Sequence, residues 1–343
     1  MILSSLERTE FERYIKTFDF SEFIRNKTFL ITGSGGMTGS SIIKWILYEN
    51  NVNSTNARVF ASTRCPDVIP SYIDENDNVQ FCEFGNEEAV IGETKVDYII
   101  HAASPTEREF FMNYPAETFK VIVDGTEKML ELCRRKDASF VLLSSVEIYG
   151  SPNSEVTVNE SNTGSIDSLN IRNGYPLGKK SAEFLAHAYF KEYGCNTKIV
   201  RISAIQGLYQ SYQENRIFNE IIRCILEDRN LIMKSNGMSK KSIVYTLDAV
   251  AGIFVVLFKG AKGEAYNITN PETYMTMKGL AEKMFSMFNS RIKIEYDITP
   301  ETLTGYLPHL ALLQDVGKIT SLGWKPITDL ERIYRIDIDR WKQ

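Results

Sequence analysis

Short apolar segments alternate with amphipathic segments along the chain as far as about residue 205. The apolar segments are candidate strands at Thr28–Thr32, Arg58–Ser62, Asn78–Phe84, Val96–His101, Ser139–Ser145 and Thr197–Ile202. Helical periodicity separates several of them, at Ser40–Tyr48, Phe119–Arg135 and Lys179–Glu192. Because apolar strands joined by helices are buried on both faces, the pattern predicts a parallel sheet between two helical layers.

The alternation weakens in the remainder of the chain. Smaller candidate elements follow near 216–228, at Ser242–Thr246 and at Met277–Asn289. We therefore predict an α/β fold, with a Rossmann-like, doubly wound parallel sheet over residues 27–205. We expect residues 206–343 to form mainly a smaller C-terminal lobe that binds the substrate. Some segments of this lobe return to the sheet. Residues 1–26 carry apolar residues at mostly helical spacing and predict a helical lead-in.

A glycine-rich turn lies between the first predicted strand and the first helix. Gly33, Gly36 and Gly39 are three residues apart, and Met37 and Thr38 open the helix. Glycine permits the tight turn and the close approach of a pyrophosphate, which then lies at the helix N-terminus. The position of the turn after a strand and before a helix predicts a dinucleotide site.

The end of the second strand leaves the choice of dinucleotide open. Sheets that bind NAD usually carry an acidic residue there for the ribose 2′-hydroxyl, whereas a nearby arginine accommodates the 2′-phosphate of NADP. Here Ser62, Thr63 and Arg64 stand at the strand end, and the first carboxylate after them is Asp67. The cofactor is therefore NAD or NADP, with Arg64 either a phosphate contact or a solvated surface residue.

A tyrosine and a lysine, Tyr175 and Lys179, lie one helical turn apart and share a helix face. A nearby ammonium favours the phenolate, so we expect Lys179 to lower the pKa of Tyr175 from its ordinary value of about 10. The phenol would then serve as a general base near neutral pH. Tyr274 and Lys278 have the same spacing, but they lie in the C-terminal lobe, where we expect Tyr274 to pack.

Charge and cysteine content exclude several other classes of protein. The net charge of -5 gives no general attraction for nucleic acid or for an anionic membrane surface. No apolar run reaches the roughly 18 residues that a membrane span needs. The five cysteines are scattered and show no metal-type pairing, and the three histidines are dispersed. We expect a reduced, cytoplasmic protein without a zinc site, a nucleic-acid partner or a membrane partner.

Taken in order, these motifs resemble those of the extended short-chain dehydrogenases/reductases, in the nucleotide-sugar epimerase/dehydratase group. The matching segments are Thr32–Gly39, Asp97–Ser104, Ser144–Gly150, Tyr175–Lys179, Tyr245–Asp248, Gly263–Ile268 and Leu322–Pro326. Within the group, His101–Pro105 and Ser145–Gly150 are most similar to UDP-glucuronate decarboxylases and sugar-nucleotide 4,6-dehydratases. The resemblance implies a nucleotide-sugar substrate, a dinucleotide cofactor and a homodimer that pairs through helices near 107–135 and 176–193.

The resemblance also implies roles for the central residues. Tyr175 deprotonates the sugar C4 hydroxyl while hydride leaves C4, Lys179 binds the nicotinamide ribose, and Ser145 hydrogen-bonds the same hydroxyl. The 4-keto intermediate then permits epimerisation, dehydration or decarboxylation without net use of the cofactor. In 4,6-dehydratases a glutamate matching Glu147 is the base at C5, and an adjacent aspartate protonates the departing hydroxyl. In this chain Val146 stands where that aspartate would be. The decarboxylases lack the aspartate too.

The remaining family positions are partly changed. On the cofactor side the resemblance assigns Ala102, Ala103 and Ser104, while Ile122 and Asn86 replace an asparagine and an aspartate.

On the substrate side the resemblance assigns Arg216 and Lys241. Lys241 replaces an arginine that grips the diphosphate and is tied to activity in the decarboxylases, and a lysine cannot form the same bidentate contact. Ala204 replaces an asparagine, and Gly305–Leu310 replaces an arginine-rich stretch.

Three functions are compatible with these motifs. The first is a nucleotide-sugar enzyme of the epimerase, dehydratase or decarboxylase type that works through C4 oxidation. The second is an NADPH-dependent reductase of 4-keto nucleotide sugars, suggested by Arg64. The third is a non-catalytic sensor on the same fold. Because such sensors typically lose the tyrosine and lysine pair, which is present here, the first interpretation is favoured.

Overall fold

The computed structural model describes residues 1–74, 77–152, 154–288, 291–299 and 311–342. The strands are β1 (Thr28–Thr32), β2 (Arg58–Thr63), β3 (Val79–Glu83), β4 (Tyr98–His101), β5 (Ser139–Ser145), β6 (Val156–Val158), β7 (Asn196–Ile202), β8 (Ala204–Gln206), β9 (Leu231–Met233), β10 (Lys240–Lys241), β11 (Ile243–Tyr245), β12 (Ala265–Ile268), β13 (Met275–Thr276), β14 (Ile294–Tyr296) and β15 (Leu312–Gln314). The helices are α1 (Ser5–Thr17), α2 (Ser21–Ile24), α3 (Met37–Asn53), α4 (Glu87–Ile91), α5 (Arg108–Asn113), α6 (Pro115–Lys136), α7 (Gly174–Tyr193), α8 (Ile217–Glu227), α9 (Thr246–Lys259), α10 (Met277–Phe288), α11 (Gly317–Thr320) and α12 (Leu330–Trp341).

The central sheet has seven strands in the order β12-β7-β5-β4-β1-β2-β3, and every neighbouring pair is parallel. The chain runs outward from β1 through β2 to β3, returns to β4 and then runs outward on the other side. Helices α6 and α7 cover one face and α3 and α9 cover the other. The predicted Rossmann-like, doubly wound sheet is confirmed. In such sheets the ligand crevice lies where the strand order reverses, between β1 and β4.

Strand register brings the functional segments to one edge of the sheet. Thr32 at the end of β1 lies opposite Ser62 of β2 and opposite His101 of β4. Ser145 ends β5 opposite Ile202 of β7. Since all of these strands are parallel, the segments that follow them leave the sheet on the same side. The C-terminal part of the chain contributes β12 to the sheet beside β7. Among the described residues its other strands form two-stranded sheets, and one of these pairs β15 with β6.

The N-terminal helices are packed into the body of the protein. A capping box between Ser4 and Glu7 starts α1. The rings of Phe11 and Tyr14 are fully buried, and both lie edge-on to Trp45 of α3. The buried Glu10 carboxylate pairs with two guanidinium groups, those of Arg13 and Arg332. Residues 1–26 therefore join the cofactor-side helix α3 to the C-terminal helix α12.

None of the helices in the described ranges has both the length and the apolar character required to cross a bilayer.

Replacing Phe11 with alanine should destabilise the protein by about 3–5 kcal/mol, because the ring is fully buried against Trp45 and Tyr48. Urea denaturation followed by circular dichroism measures the loss. Phe23→Ala is the matched control, since that ring is 39% exposed and should cost clearly less. Equal losses for the two variants would show that α1 is not part of the cooperative core.

Candidate active site

The glycine turn after β1 is packed tightly against the segment after β4. Gly33 has a positive φ of 68°, and a Cβ there would lie 2.8 Å from the Ala103 nitrogen and 2.9 Å from the Ala102 oxygen. A Cβ on Gly39 would overlap the Gly33 carbonyl oxygen. Glycine is therefore required at Gly33 by its positive φ and by the backbone after β4, and at Gly39 by the backbone of the turn itself.

Two hydrogen-bonded connections hold the turn against its neighbouring strands. The Ser34 amide and hydroxyl both donate to the Ser62 carbonyl oxygen, at 3.1 and 2.9 Å. The Thr32 hydroxyl accepts from the Ala103 amide at 3.2 Å and lies 2.7 Å from Nδ1 of His101. Burial lowers the pKa of His101 to about 3, with the Lys179 charge adding to the effect, so this imidazole is neutral.

The turn fits the pyrophosphate of NAD or NADP. Helix α3 begins at Met37 with Gly36 as its N-cap, and no side chain caps its first amides. Uncapped amides at the N-terminus of a long helix are ready to donate to an anion. Gly35 and Gly36 are exposed, so a ligand can approach the backbone of the turn.

The end of β2 contains a buried carboxylate that sequence reasoning missed. Glu87, at the start of α4, accepts from the Ser62 hydroxyl at 2.6 Å and from the Gly85 amide at 2.9 Å. Ser62 is fully buried, so its hydroxyl faces Glu87 and not the surface of the cofactor site. Thr63 is half-buried and Arg64 is exposed. No sequence spacing signals the contact between Ser62 and Glu87, because it joins the end of β2 to the start of α4, with β3 between them in the chain.

The predicted catalytic residues lie together at the carboxyl end of β5. Tyr175 lies in the first turn of α7, and its ring stacks on that of Phe111 at 4.7 Å. Ser145, the last residue of β5, forms a hydrogen bond with the phenol. Lys179 is buried, and its ammonium donates to the Leu143 carbonyl oxygen at 2.8 Å. The geometry thus places a hydroxyl, a phenol and an amine at one strand end.

The predicted effect of Lys179 on the pKa of Tyr175 is wrong for this structure. Burial raises the pKa of Tyr175 well above its usual range, and the Glu147 carboxylate raises it further. The hydrogen bond with Ser145 and the guanidinium groups of Arg216 and Arg172 act in the opposite direction. The phenol is therefore protonated at neutral pH, and the cations that favour its ionisation are arginines.

Glu147 forms a bidentate ion pair with Arg172, a residue that sequence reasoning missed. The two guanidinium-to-carboxylate distances are 2.6 and 2.9 Å, and the Glu147 amide donates to the Ser145 hydroxyl at 3.2 Å. Arg172 lies in the short turn before α7. Its position three residues before Tyr175 is the one sequence signal that could have identified it, since a charged residue there lies next to the start of the catalytic helix.

Lys241 and Arg216 lie around the same carboxylate. Burial lowers the pKa of Lys241, the Glu147 charge raises it, and the charges of Arg172 and Arg216 lower it again. Arg216 precedes α8 and also pairs with Glu214 at 3.0 Å. Three cations therefore act near Tyr175 against the carboxylates of Glu147 and Glu214, and this excess of positive charge suits the site to an anionic ligand.

The structure describes two of three further positions at which the sequence departs from the family pattern. Ala204 lies on β8, where it is half-buried, and Val146 is half-buried next to Glu147. Gly305–Leu310 lies outside the described residues.

A second charged network fixes the neighbouring side chains. Arg201 of β7 forms a bidentate pair with Glu183 of α7, with distances of 2.7 and 3.1 Å. The Ser144 hydroxyl donates to the same carboxylate. The Tyr149 hydroxyl donates to Asn267 of β12 at 2.8 Å. The contacts of Glu183 lock α7 to β5 and β7, so Ser144 is a structural neighbour of Ser145.

Lys179→Met should stabilise the protein at pH 7, by on the order of 1–3 kcal/mol. Burial lowers the pKa of Lys179 from 10.5 to about 8, so protonation at neutral pH opposes folding. Between pH of about 8 and 10.5 the unfolded chain binds more protons than the folded protein does. The gain in stability from the substitution should therefore shrink as the pH rises through this range. Urea denaturation at several pH values measures it. A less stable variant at pH 7 would contradict this expectation.

Lys198→Met is the matched control for this experiment. Burial also lowers the pKa of Lys198 to about 8, and its ammonium lies 3.4 Å from the Ser139 hydroxyl, at the amino ends of β7 and β5. The same stability gain is therefore expected, without loss of activity, because Lys198 lies away from Tyr175. Loss of activity in both variants would point to a general disturbance of the sheet.

The sequence is similar to known families and proteins. Residues 29–269 match the sequence model of the NAD dependent epimerase/dehydratase family. UDP-glucuronic acid decarboxylase 5 of Arabidopsis thaliana is 29% identical over 302 residues, which are 88% of this chain and 85% of that protein. UDP-glucuronic acid decarboxylase 1 of Danio rerio is 27% identical over 305 residues, 89% of this chain and 70% of that protein.

Solved structures share the fold. The dTDP-glucose 4,6-dehydratase of Bacillus anthracis in complex with NAD superimposes with a TM-score of 0.75 at 22% identity, covering 92% of this chain and 96% of that one. The UDP-glucose 4-epimerase of Thermotoga maritima with UDP-glucose gives a TM-score of 0.78 at 18% identity, covering 92% and 98%. At these identities the likeness shows the fold alone.

Proposed function

This chain belongs to the NAD-dependent epimerase/dehydratase family, and from that membership we propose that it decarboxylates a nucleoside-diphosphate uronic acid. It is an enzyme that modifies a nucleotide sugar with NAD or NADP through a 4-keto intermediate. Among the reactions open to such an enzyme, decarboxylation is the one that the charges around Tyr175 favour.

The observation that carries the proposal is the charged group around Glu147. Arg172, Arg216 and Lys241 carry three positive charges against the two carboxylates of Glu147 and Glu214, beside Tyr175. A uronic acid linked to a diphosphate brings two anionic groups to one sugar, and arginine binds carboxylates and phosphates in a bidentate manner. The similar UDP-glucuronic acid decarboxylases of plants and fish support the same substrate class.

Each central residue has a role in this reaction. Ser145 and Tyr175 would hold the C4 hydroxyl, and the phenol would take its proton as C4 is oxidised. NAD or NADP, held by the glycine turn and by Ala102, Ala103 and Ser104, would supply the reversible hydride acceptor. Lys179 would fix α7 and contact the cofactor ribose.

The 4-ketone then permits loss of the C5 carboxylate. The bond between C5 and the carboxylate breaks, carbon dioxide leaves, and the electron pair forms an enolate across C5 and C4. A proton adds to C5, hydride returns to C4, and Tyr175 gives its proton back to the C4 oxygen. The net change is the substrate carboxylate and one proton converted to carbon dioxide and a nucleotide pentose.

Val146 supports decarboxylation over 4,6-dehydration. Dehydration needs an acid to protonate the departing C6 hydroxyl, and an apolar side chain beside Glu147 cannot donate a proton. Decarboxylation breaks a bond to a carboxylate and needs no proton donor for the leaving group.

Incubation with UDP-glucuronic acid and either dinucleotide should release carbon dioxide and form a UDP-pentose, measured by mass spectrometry and NMR. Tyr175→Phe should reduce turnover by on the order of 10²–10⁴-fold while dinucleotide affinity stays nearly unchanged. Tyr274→Phe is the matched control, because Tyr274 has the same spacing to a lysine but Lys278 pairs with Glu282 instead.

Other products would overturn the assignment. Loss of water would identify a dehydratase, and an unchanged mass with inverted stereochemistry would identify an epimerase. Stoichiometric oxidation of NADPH by a 4-keto nucleotide sugar would identify a reductase. Full activity of Tyr175→Phe would remove the phenol from the mechanism.

We also propose a homodimer formed by α6 and α7. Phe119 and Val123 of α6 and Leu177 and Phe184 of α7 line one apolar surface groove, and Phe184 is 72% exposed. Large apolar side chains grouped on two adjacent helices are typical of an interface between proteins.

Light scattering after size-exclusion chromatography should give the mass of two chains, and Phe184→Asp should give the mass of one, because a carboxylate is costly to bury there. Ile232→Asp is the matched control: Ile232 is 52% exposed on β9, which pairs with β14 away from α6 and α7, and the variant should remain dimeric. A monomeric wild type would contradict the proposal.

We place the enzyme in the cytoplasm. All five cysteines are free thiols, and four of them are buried. Free thiols persist where glutathione and thioredoxin keep them reduced.

A further inference from the structure

We propose that Tyr209 is a positioning residue for the nucleotide-sugar site, anchored by Lys44 of the cofactor-side helix α3. Its ring holds the loop at residues 207–216, which carries Arg216 to the neighbourhood of Tyr175. The inference rests on the proposed function for its substrate, a nucleoside-diphosphate uronic acid. It adds a contact that joins the cofactor side of the protein to the substrate side.

The Lys44 ammonium is enclosed by two aromatic rings and a carboxylate. Lys44 is 7% exposed, and its Nζ lies 3.5 Å from the centre of the Tyr209 ring and 4.5 Å from that of Tyr72. The ammonium also donates to the Glu7 carboxylate of α1 at 2.8 Å. A desolvated cation gains most from the face of an aromatic ring, and a buried charge without partners is costly. These contacts therefore fix the position of Tyr209 relative to α3.

Lys44 belongs to the helix that begins at the dinucleotide site. Helix α3 starts at Met37, directly after the glycine turn, so Lys44 lies about 10 Å further along the helix axis. The groups around its ammonium come from three separate segments, which are α1, the loop between β2 and β3, and the loop between β8 and α8. The last of these leads to Arg216. The contact with Tyr209 thus connects the cofactor-side helix to the substrate side.

The backbone of Tyr209 has a conformation that is unfavourable for a residue with a side chain. Its φ of 76° lies in the left-handed region. Such a conformation persists only where the surrounding contacts determine it. The ring contact with Lys44 is one of them, and the guanidinium of Arg340 on α12 adds another by donating to the Gln210 carbonyl oxygen. Without the ring contact, the loop should relax to another conformation.

The other end of the loop is fastened to α8. Two side chains of this helix donate to carbonyl oxygens of the loop, Asn219 to Ser211 at 3.0 Å and Arg223 to Glu214 at 2.8 Å. Arg216 directly precedes α8, and its guanidinium acts on the pKa of the catalytic phenol. The loop and Arg216 therefore form one unit, and a shift at the end that the ring anchors also displaces the guanidinium.

Tyr209→Leu removes the ring and should weaken the binding of UDP-glucuronic acid on the order of 10-fold, the effect of losing one charge-assisted hydrogen bond. Calorimetric titration of the full-length protein with dinucleotide bound measures the affinity, and Tyr175→Phe is present in every variant to prevent turnover. Tyr209→Phe keeps the ring and should bind as the parent does. Lys44→Met removes the ammonium and should reproduce the loss, so it tests the same contact if Tyr209→Leu does not fold.

Tyr72→Leu is the matched control. It removes the other ring from the same ammonium, but Tyr72 lies in the loop between β2 and β3 and does not lead to Arg216. Its stability, followed by thermal melting, should fall about as much as that of Tyr209→Leu, while the affinity for UDP-glucuronic acid stays unchanged. Equal loss of affinity in the two variants would overturn the proposal.

A double-mutant cycle shows whether Tyr209 acts through Arg216. Arg216→Gln should weaken the binding of UDP-glucuronic acid by itself, and adding Tyr209→Leu to it should cost little more, because the displaced guanidinium is already absent. Fully additive losses would show that the ring has only a general structural effect.

Hydrogen exchange followed by mass spectrometry tests the loop without any ligand. Amides of residues 207–216 should exchange ~10-fold faster in Tyr209→Leu than in the parent, and at the parent rate in Tyr72→Leu. Unchanged exchange in Tyr209→Leu would overturn the proposal even if UDP-glucuronic acid does not bind.

The failure of this inference and the failure of the proposed function give different results. If UDP-glucuronic acid binds without being decarboxylated and the double-mutant losses are not additive, the proposed function fails and this inference stands. If it is decarboxylated by the wild type, but Tyr209→Leu and Tyr72→Leu bind it equally well, the proposed function stands and this inference fails.

Discussion

The hydrogen bond from the Lys179 ammonium to the Leu143 carbonyl oxygen fixes the geometry on which the rest of the site depends. It is 2.8 Å long, fully enclosed, and joins α7 to the end of β5. A buried ammonium without a partner is costly, so the contact holds the helix at one position along the strand. Ser145 lies two residues beyond Leu143 and therefore meets the phenol of Tyr175. The catalytic geometry is set by the sheet, with loops supplying the charges around it.

Those charges explain how a phenol with a raised pKa can both donate and accept a proton. Burial keeps Tyr175 protonated, which prepares it to give a proton to a ketone oxygen. Taking a proton requires the opposite tendency, which Arg172 and Arg216 supply from the substrate side. Glu147 counteracts them, and its pairing with Arg172 limits that effect. The residues proposed to bind an anionic substrate are thus also the residues that control the pKa of the phenol.

Much of the fold and part of the site could be predicted from the sequence. The alternation of apolar and amphipathic segments predicts the sheet because burial on both faces leaves few alternatives. The glycine turn could be predicted because the positive φ of Gly33 and the contact of Gly39 with the Gly33 carbonyl are local to the turn. The ion pair between Glu147 and Arg172 and the buried position of Glu87 were not predicted, since both depend on how separate segments pack; only the place of Arg172 just before Tyr175 marked it in the sequence. The pKa of Tyr175 was misjudged because helical spacing identifies a neighbour but gives no measure of burial.

In the proposed reaction, C4 of the sugar is oxidised and reduced again within one turnover. The most direct test uses UDP-glucuronic acid that carries deuterium at C4, compared with unlabelled substrate in a single turnover. We expect slower release of carbon dioxide from the labelled substrate and a pentose product that keeps its deuterium at C4. Equal rates for the two substrates, or deuterium lost to water, would contradict the account.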